Sequence, residues 1–536
     1  MKILGITHSC YSWNNAACLL IDGKLVAFAE EERFIRKKHA PRIGACQATK
    51  YCLEYAGLSM KDLDYIAVGF DDKYHAINQS IDFNNHEIKQ KTPRLKSFEW
   101  NQPFDFYDPR VINVNHHIAH ISSSFYLSGF KESNIISLDK AGESESGLIG
   151  YGNGLNLDIF HRINHQESWG CLYEEITNLL GFKGHSQEGK TMGLSSYGKP
   201  CLEKFNFIDW NAKPIPKIDY EKKKKFLATI KKRNCFDKIT QKHKDLAATV
   251  QFVLEKAGLK IVKYLYNQTG SRNLCLSGGV ALNCAMNGIL LKSKYVHDIY
   301  IQPASNDTGS ALGAAVYVHV KKTNKSPDFI FDHVYWGPEF NNQEIEKAIG
   351  KYKINKYHFS NNIFKETAEK IAQNKIIGWF QGRMEVGPRA LGNRSILANP
   401  SLVKIKDMIN SIKKRESWRP FAPSILEEYA SKYVKDYYKS PFMILAFDIK
   451  PNKIKDLLAT VHVDNTVRLQ TVNKKNNLKY WKLISEFKKI TGIPALLNTS
   501  YNLADEPIIC SPKDALKTFY DSSMDYLAIG DYLIEK

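Results

Sequence analysis

The chain has 536 residues, 43% of them hydrophobic and 12% aromatic, more than one ordinary core uses, which argues for two or three domains. Its formal charge of +19 comes largely from dispersed lysines, a balance that suits anionic ligands or nucleic acid but that a solvated surface also produces. Ten cysteines without a C-x-x-C pair exclude a disulfide framework and a zinc ribbon. No apolar run reaches the roughly 18 residues of a membrane span, and the N-terminus lacks a signal-peptide pattern, so the chain reads as soluble and cytoplasmic.

In chain order, Lys2 to Thr7 reads as a strand, followed by a hairpin of Ala16 to Ile21 and Lys24 to Ala29 around an Asp-Gly turn. The loop HSCYSWNN between the first two strands is polar and aromatic, as a ligand-facing loop would be. Glu30, Glu31 and Glu32 then lead into RFIRKKHAPR, a charge run expected to face solvent. The polar, aperiodic stretch from Gln79 to Asp105 resembles a long excursion or lid. In NHHIAH, His116 and His120 project from one face of a helix, the geometry two imidazoles need to share a metal; packing or surface histidines are the alternative. Two aspartates stand where carboxylates often enter a site: Asp139 at the end of an apolar strand and Asp307 at the start of a small-residue helix. Two imidazoles with two carboxylates would suit iron, manganese or zinc.

The pattern NLCLSGGVALNC reads as strand, Gly-Gly turn and helix, so that Gly278 and Gly279 would let phosphate oxygens approach backbone N–H groups. A periodic helix of roughly His243 to Tyr266 precedes it, and EGKTMGLSSYGKP, Glu188 to Pro200, is a second candidate ligand loop. A domain boundary is expected near residue 345, giving domains of 1–345 and 346–536. The second opens on a helix near Gln343 to Tyr352 and the strand KIIGWF. Then GRMEVGPRALGNRS packs Arg383, Arg389 and Arg394 among glycines, which suits an anion site or a solvated basic turn. Further cations follow at Lys413, Lys414, Arg415, Arg419 and Arg468, with Asn498 and Ser500 after an apolar strand. Together they would hold a polyphosphate and a second small anion, or else pair with Glu416 and Asp464.

Taken together, the strings EEERFIRKKHAPR, NHHIAH, EGKTMGLSSYGKP, SGGVALNC, NDTGSALGAA, GRMEVGPRALGNRSIL, KKRESWRPFAPSILEE, HVDNTVRLQTV and LLNTSYNLADEPI resemble, essentially end to end, the nodulation/cephamycin O-carbamoyltransferase family. The resemblance implies an α/β protein. Its N-terminal domain would have the actin-like ATPase fold, similar to the metal-binding tRNA threonylcarbamoyl-transferase subunit, and its C-terminal domain would be of the YrdC type. It implies that the C-terminal domain makes carbamoyladenylate from carbamoyl phosphate and ATP with Mg2+, and that the N-terminal domain moves the carbamoyl group to a hydroxyl of a sugar or natural product.

Position by position, the resemblance makes His116, His120, Asp139 and Asp307 metal ligands, with Fe(II) the expected ion. It places Arg389, Lys413, Arg419 and Arg468 on carbamoyl phosphate and ATP, with Asn498 and Ser500 near the nucleotide. Lys38 or His39, with Gly278, Gly279 and Asn283, would lie on the adenylate. Two positions depart from the family's pattern. Trp13-Asn14 stands where many members carry His-Asp, which leaves His8 as a candidate base beside His39, and Lys140 follows Asp139 where many carry Gly. A homodimer fits the family. Threonylcarbamoylation of tRNA is the alternative, since the same two domain types serve it, but the full-length match disfavours nucleic acid.

Overall fold

A computed structural model describes residues 1–7, 13–41, 43–70, 104–105 and 108–536. The chain divides into two compact units, Met1–Ile35 with His39–Phe331, and Arg36–Lys38 with Asp332–Lys536. His8 and most of the Gln79–Asp105 stretch lie outside the described residues.

The first unit is built on one plan used twice. Its first sheet holds β1 (Lys2–Thr7), β2 (Ala16–Ile21), β3 (Lys24–Glu30), β4 (Tyr65–Val68) and β5 (Val111–Asn113) in the order β3-β2-β1-β4-β5. The first three strands run antiparallel, and β4 and β5 add in parallel. The second sheet holds β6 (Glu132–Leu138), β7 (Glu145–Asn153) and β8 (Asn156–Asn164). After a small ribbon of β9 (Ile208–Asp209) and β10 (Lys217–Ile218), it is completed by β11 (Asn273–Ser277) and β12 (Asp298–Ile301). Its order, β8-β7-β6-β11-β12, repeats the first, with the same change from antiparallel to parallel pairing. This duplicated sheet with helical crossovers is the plan of the actin-like ATPase fold.

In each half a helix follows the fifth strand: His116–Phe125 after β5 and Asp307–Thr323 after β12. The run NDTGSALGAA is small because this second helix is packed on both sides. A Cβ on Gly313 would meet the Ala119 carbonyl oxygen at 1.8 Å, and one on Gly5 of β1 would meet that of Ala311 at 2.2 Å. Side chains larger than these would push the helix off both the sheet and its partner.

The expectation of a solvent-facing charge run at Glu30–Arg33 is overturned. Glu30, Glu31, Glu32 and Arg33 are all buried, Arg33 donating to Glu30 at 2.7 Å and pairing with Glu32 at 2.8 Å. The run sits at the end of β3 and in the following helix, Glu31–Ile35, where two carboxylates neutralise one guanidinium inside the unit. Glu31 instead accepts the N–H groups of Gln47 and Ala48 at the start of the helix Cys46–Tyr55. A second correction concerns EGKTMGLSSYGKP, whose first eight residues form the helix Glu188–Ser195 rather than a loop.

The second unit is a mixed sheet of eight strands. They are β13 (Tyr357–Phe359), β14 (Ile377–Phe380), β15 (Arg394–Ala398), β16 (Ala422–Leu426), β19 (Gln470–Val472), β20 (Ala495–Ser500), β21 (Tyr526–Ile529) and β22 (Tyr532–Glu535). A side ribbon pairs β17 (Ala446–Asp448) with β18 (Thr466–Arg468). The sheet order is β13-β22-β21-β14-β15-β20-β16-β19. Alternation along each strand feeds two cores. Ile377, Trp379 and Leu397 face the helices Ile363–Ala372 and Leu478–Thr491, whereas Phe380, Ile396 and Ala398 face Asn342–Lys351, Val403–Ile412 and Pro512–Tyr520. The α/β class expected of the chain is therefore what both units hold.

Burial raises the Glu31 carboxyl to about 7 despite the two N–H groups it accepts. The folded state thus holds a proton that the unfolded chain has released. The stability this contributes is full below the usual glutamate range and is lost as pH rises toward 7, by up to about 3 kcal/mol. Urea denaturation from pH 4.5 to 8 is expected to show this loss, and Glu31→Gln to flatten it. Arg33→Ala leaves two buried carboxylates without their cation and is expected to cost about 3–5 kcal/mol in the same measurement.

Candidate functional site

In the first unit the two helix starts bring His116 and Asp307 together, and the end of β6 adds Asp139. One ligand atom from each of His116, His120, Asp139 and Asp307 lies within 4.8 Å of the others. The two Nε2 atoms are 3.0 Å apart, His120 Nε2 is 3.1 Å from Asp139 Oδ2, and His116 Nε2 is 3.7 Å from Asp307 Oδ1. Both imidazoles are fully buried, while Asp139 and Asp307 retain 13% and 21% side-chain exposure, so the cluster opens on its carboxylate side.

The donor set fits a cation. His116 Nδ1 donates to the Gly69 carbonyl oxygen at 3.1 Å, which fixes the tautomer and turns the Nε2 lone pair inward. Two imidazole nitrogens facing each other at hydrogen-bond distance need either a shared proton or a metal between them. Burial disfavours a charged His116, but Asp307, Glu143 and Asp139 outweigh it and raise the imidazole's pKa overall. Burial likewise acts to raise Asp139, yet the bond and charge of His120 hold its carboxyl below the usual range. For Asp307 burial prevails and the pKa rises. His117, between the two ligands, is pushed down to about 3 by burial and by its charged neighbours, and its Nδ1 contacts Ser137 Oγ at 3.0 Å.

Glu143 is a residue that sequence reading passed over. It accepts the His116 N–H at 3.0 Å and the Asn115 side-chain amide at 3.0 Å, anchoring the start of the ligand-bearing helix. The signal was there, since Glu143 lies four residues past Asp139, but only the fold brings it to the helix N-terminus.

The Gly-Gly turn packs against the end of β6. Gly278 has φ of 83° and passes so close to β6 that a Cβ would meet the Leu138 carbonyl oxygen at 2.2 Å, and Gly279 N–H donates to Asp139 at 2.9 Å. The turn thus positions a ligand-bearing carboxylate. Asn283 caps the helix Cys284–Leu291 through the Met286 N–H at 3.0 Å and exchanges two amide bonds with Gln251. Lys38 and His39 part company: Lys38 belongs to the second unit and His39 to the first. His39 Nδ1 lies 2.7 Å from Asn14 Oδ1, and the adjacent Trp13 N–H reaches Asp307 Oδ2 at 3.4 Å.

In the second unit the arginine stretch divides its labour. Arg394 is fully buried, donates to the carbonyl oxygens of Gln381 at 2.8 Å, Asn393 at 2.9 Å, Gly382 at 3.1 Å and Pro338 at 3.2 Å, and stacks 3.6 Å over Phe380. Arg383 braces the Trp336 and Gly337 carbonyl oxygens. The loop's amides point inward to Glu385, whose Oε1 accepts from Leu391 at 2.9 Å and from Asn393 and Arg394 at 3.0 Å each. These backbone amides therefore serve a buried carboxylate, and Arg389, half-buried in the same loop, is a candidate ligand-binding cation.

Around it the cations crowd one another. Burial lowers Lys413 well below the ordinary lysine range, and Arg415, Lys38 and Arg419 push it further. Arg415 is lowered by burial and then by Arg419 and Arg468, and Arg419 by burial and Arg468 against the pull of Glu416, which it meets at 3.8 Å. Lys413 Nζ is held by Ser500 O at 2.6 Å and Asn502 Oδ1 at 2.7 Å. Asn498 and Ser500 lie within β20, not after it, and Asn498 donates to Ser424, Gln470 and Ala390. Arg468 Nε and Asn498 Oδ1 are buried and find no hydrogen-bond partner among the described residues. An orphaned donor such as Arg468 Nε among like charges suits an anion rich in oxygen. Arg415, counted among the cations in the sequence but given no role, is part of that ring.

A two-unit α/β protein with a buried His/Asp cluster in one unit and a crowded cationic centre in the other is equipped to handle a metal ion and an anionic substrate separately. Residues 2–316 match the carbamoyltransferase N-terminus family and residues 368–536 the carbamoyltransferase C-terminus family, and the chain belongs to the carbamoyltransferases, enzymes that transfer carbamoyl groups. Nodulation protein NolNO of Sinorhizobium fredii is 38% identical over 98% of this chain and 79% of its own. Nodulation protein NolO of Bradyrhizobium diazoefficiens is 39% identical over 79% of each, and nodulation protein U of Rhizobium tropici 26% over 94% and 91%. Among solved structures, component A of (R)-2-hydroxyglutaryl-CoA dehydratase from Acidaminococcus fermentans covers 61% of this chain and is itself fully covered, at 16% identity and a TM-score of 0.36. No helix among the described residues is long and apolar enough to cross a membrane.

His120→Ala and Asp139→Asn are each expected to leave far less than one equivalent of Fe(II), Mn(II) or Zn(II) per chain after dialysis, read by elemental analysis. Glu143→Gln keeps all four ligands and is expected to weaken retention by about 10–100-fold.

Proposed function

We propose that this carbamoyltransferase works through carbamoyladenylate in two half-reactions, one in each unit. In the second unit, water releases carbamate from carbamoyl phosphate with loss of phosphate, and a carbamate oxygen attacks the α-phosphorus of Mg-ATP as the bond to pyrophosphate breaks. In the first unit, an acceptor hydroxyl oxygen attacks the carbamoyl carbon, its proton passes to a base, and AMP leaves. The acceptor is a sugar or natural-product hydroxyl.

The observation that carries this reading is the mutual crowding of Lys38, Lys413, Arg415, Arg419 and Arg468. Carbamate is a weak and unstable nucleophile, so its capture requires concentrated positive charge and exclusion of water. Arg389, Arg419 and Arg468 would bind the phosphates, while Lys413, with its bonds to Ser500 and Asn502, orients β20 beside them. In the first unit His116, His120, Asp139 and Asp307 would hold a divalent ion, iron by family, which when bound supplies Lewis-acid stabilisation of the departing phosphate. His39, whose Nδ1 lies 2.7 Å from Asn14 Oδ1, would take the acceptor's proton. The charge of +19 supports a second reading, with a tRNA as acceptor, at the same chemistry.

Arg389→Ala and Arg419→Ala are expected to cut carbamoyl-phosphate-dependent ATP–pyrophosphate exchange by at least about 100-fold. His120→Ala is expected to spare that exchange and block carbamoyl transfer. If both kinds of variant strike the same half-reaction, the division between units is wrong.

A further inference from the structure

The open, carboxylate side of the His/Asp cluster carries a rim. From Asp307 it passes to Trp13, whose N–H reaches that carboxylate at 3.4 Å. Trp13 stacks on His185, ring centroids 4.6 Å apart and planes 14° from parallel. His185 Nε2 is bonded to Lys140 Nζ and lies 3.3 Å from Glu174, which pairs with Lys140 at 2.9 Å. Lys140 N–H closes the circuit on Asp139 at 2.6 Å. The side chains of Lys140 and His185 are 37% and 33% exposed, and Trp13 is half-buried. None of the four rim residues has a part in holding the ion or in the second unit's chemistry.

We propose that Trp13, His185, Lys140 and Glu174 form the acceptor subsite, and that it takes a neutral, polyhydroxylated ring. The proposal rests on the two-step reading above only in calling the ligand the acceptor. An indole stacked flat on an imidazole is a rigid, weakly polar surface suited to the C–H face of such a ring. Lys140 contributes N–H donors and Glu174 paired acceptors at its edge, the complement of vicinal hydroxyls. The ion pair leaves the rim without net charge, so it offers nothing to a phosphorylated or carboxylated acceptor beyond what it offers a neutral one. Glu174 is held by its pairing with Lys140 at 2.9 Å, which orients its carboxylate at the rim. Trp13 and Lys140 thus select the acceptor together, since each reaches the rim through the same His185.

Saturation-transfer NMR on the full chain, with methyl glucoside, methyl mannoside and methyl N-acetylglucosaminide as probes, tests this without any turnover. Glucose 6-phosphate and 1-hexanol serve as contrasts. The expected result is binding of at least one neutral glycoside in preference to both contrasts. Its affinity should fall at least tenfold in Trp13→Ala and Lys140→Met and be largely restored in Trp13→Phe, with melting temperatures reporting that each variant is folded. Binding of no glycoside, equal binding of the contrasts, or full affinity in folded Trp13→Ala and Lys140→Met would overturn the subsite. Failure of the adenylate assay alone would overturn the two-step reading and leave this result standing.

Discussion

The crossing of two helices at Gly313 and Ala119 is the contact on which the first unit's chemistry depends. Backbones that approach closely enough for a Cβ to meet a carbonyl oxygen at 1.8 Å leave no room for side chains between the helices. Their N-termini are thereby brought to one point, and each carries a residue of the His/Asp cluster at its first helical position, His116 and Asp307. The duplicated sheet explains why two such N-termini exist, since each helix follows the fifth strand of its own half. A helix N-terminus favours negative charge. Asp307 obeys this directly, while at the other helix Glu143 takes the anionic place beside His116, leaving the imidazole free to turn its Nε2 inward.

The second unit solves the opposite electrostatic problem. Lys413, Arg415 and Arg419 share a neighbourhood, with Lys38 and Arg468 beside them, in which burial and the other cations both act against their charge. A bound polyanion would relieve both terms at once, so binding free energy in such a centre appears also as stability of the fold. The one buried carboxylate in the arginine stretch, Glu385, is kept away from this balance by the backbone. Its three backbone N–H donors all use one oxygen and fold the loop into shape. Arg394, buried and lowered to about 10 by desolvation, likewise spends its donors on carbonyl oxygens. Of the three arginines in the string, Arg383 and Arg394 therefore build the loop itself.

The fold class, the His/Asp cluster and the long helix ending near Tyr266 were legible from periodicity, small-residue runs and ordered motifs. What was not legible depended on which face a charge turns. Glu30 to Arg33 looks like a solvated run, but Arg33 pairs with both Glu30 and Glu32 inside the unit while Glu31 accepts backbone N–H groups. Gly278 and Gly279 suggest a phosphate turn, and only the pairing of β11 with β6 reveals that Gly279 lies against Asp139. In the same way, Lys38 and His39 are neighbours in sequence, yet the chain crosses from one unit to the other between them. Local pattern indicates that a glycine or a charge matters; tertiary register decides to whom.

The two positions at which this chain departs from its family's pattern can be understood through the same register. Trp13 and Lys140 are 127 residues apart and belong to different halves of the duplicated fold, each next to a different carboxylate of the cluster. Taken singly, a tryptophan would narrow the opening and a lysine would bring an unmatched charge beside Asp139. Taken together, each finds its partner in His185, the indole by stacking and the ammonium by a bond to Nε2, while Glu174 balances the lysine's charge. Either side chain alone would leave His185 with only one of these two partners. Both residues reach the cluster through backbone N–H groups, which any side chain can supply, and so side chains at these positions can differ without disturbing the four groups behind them.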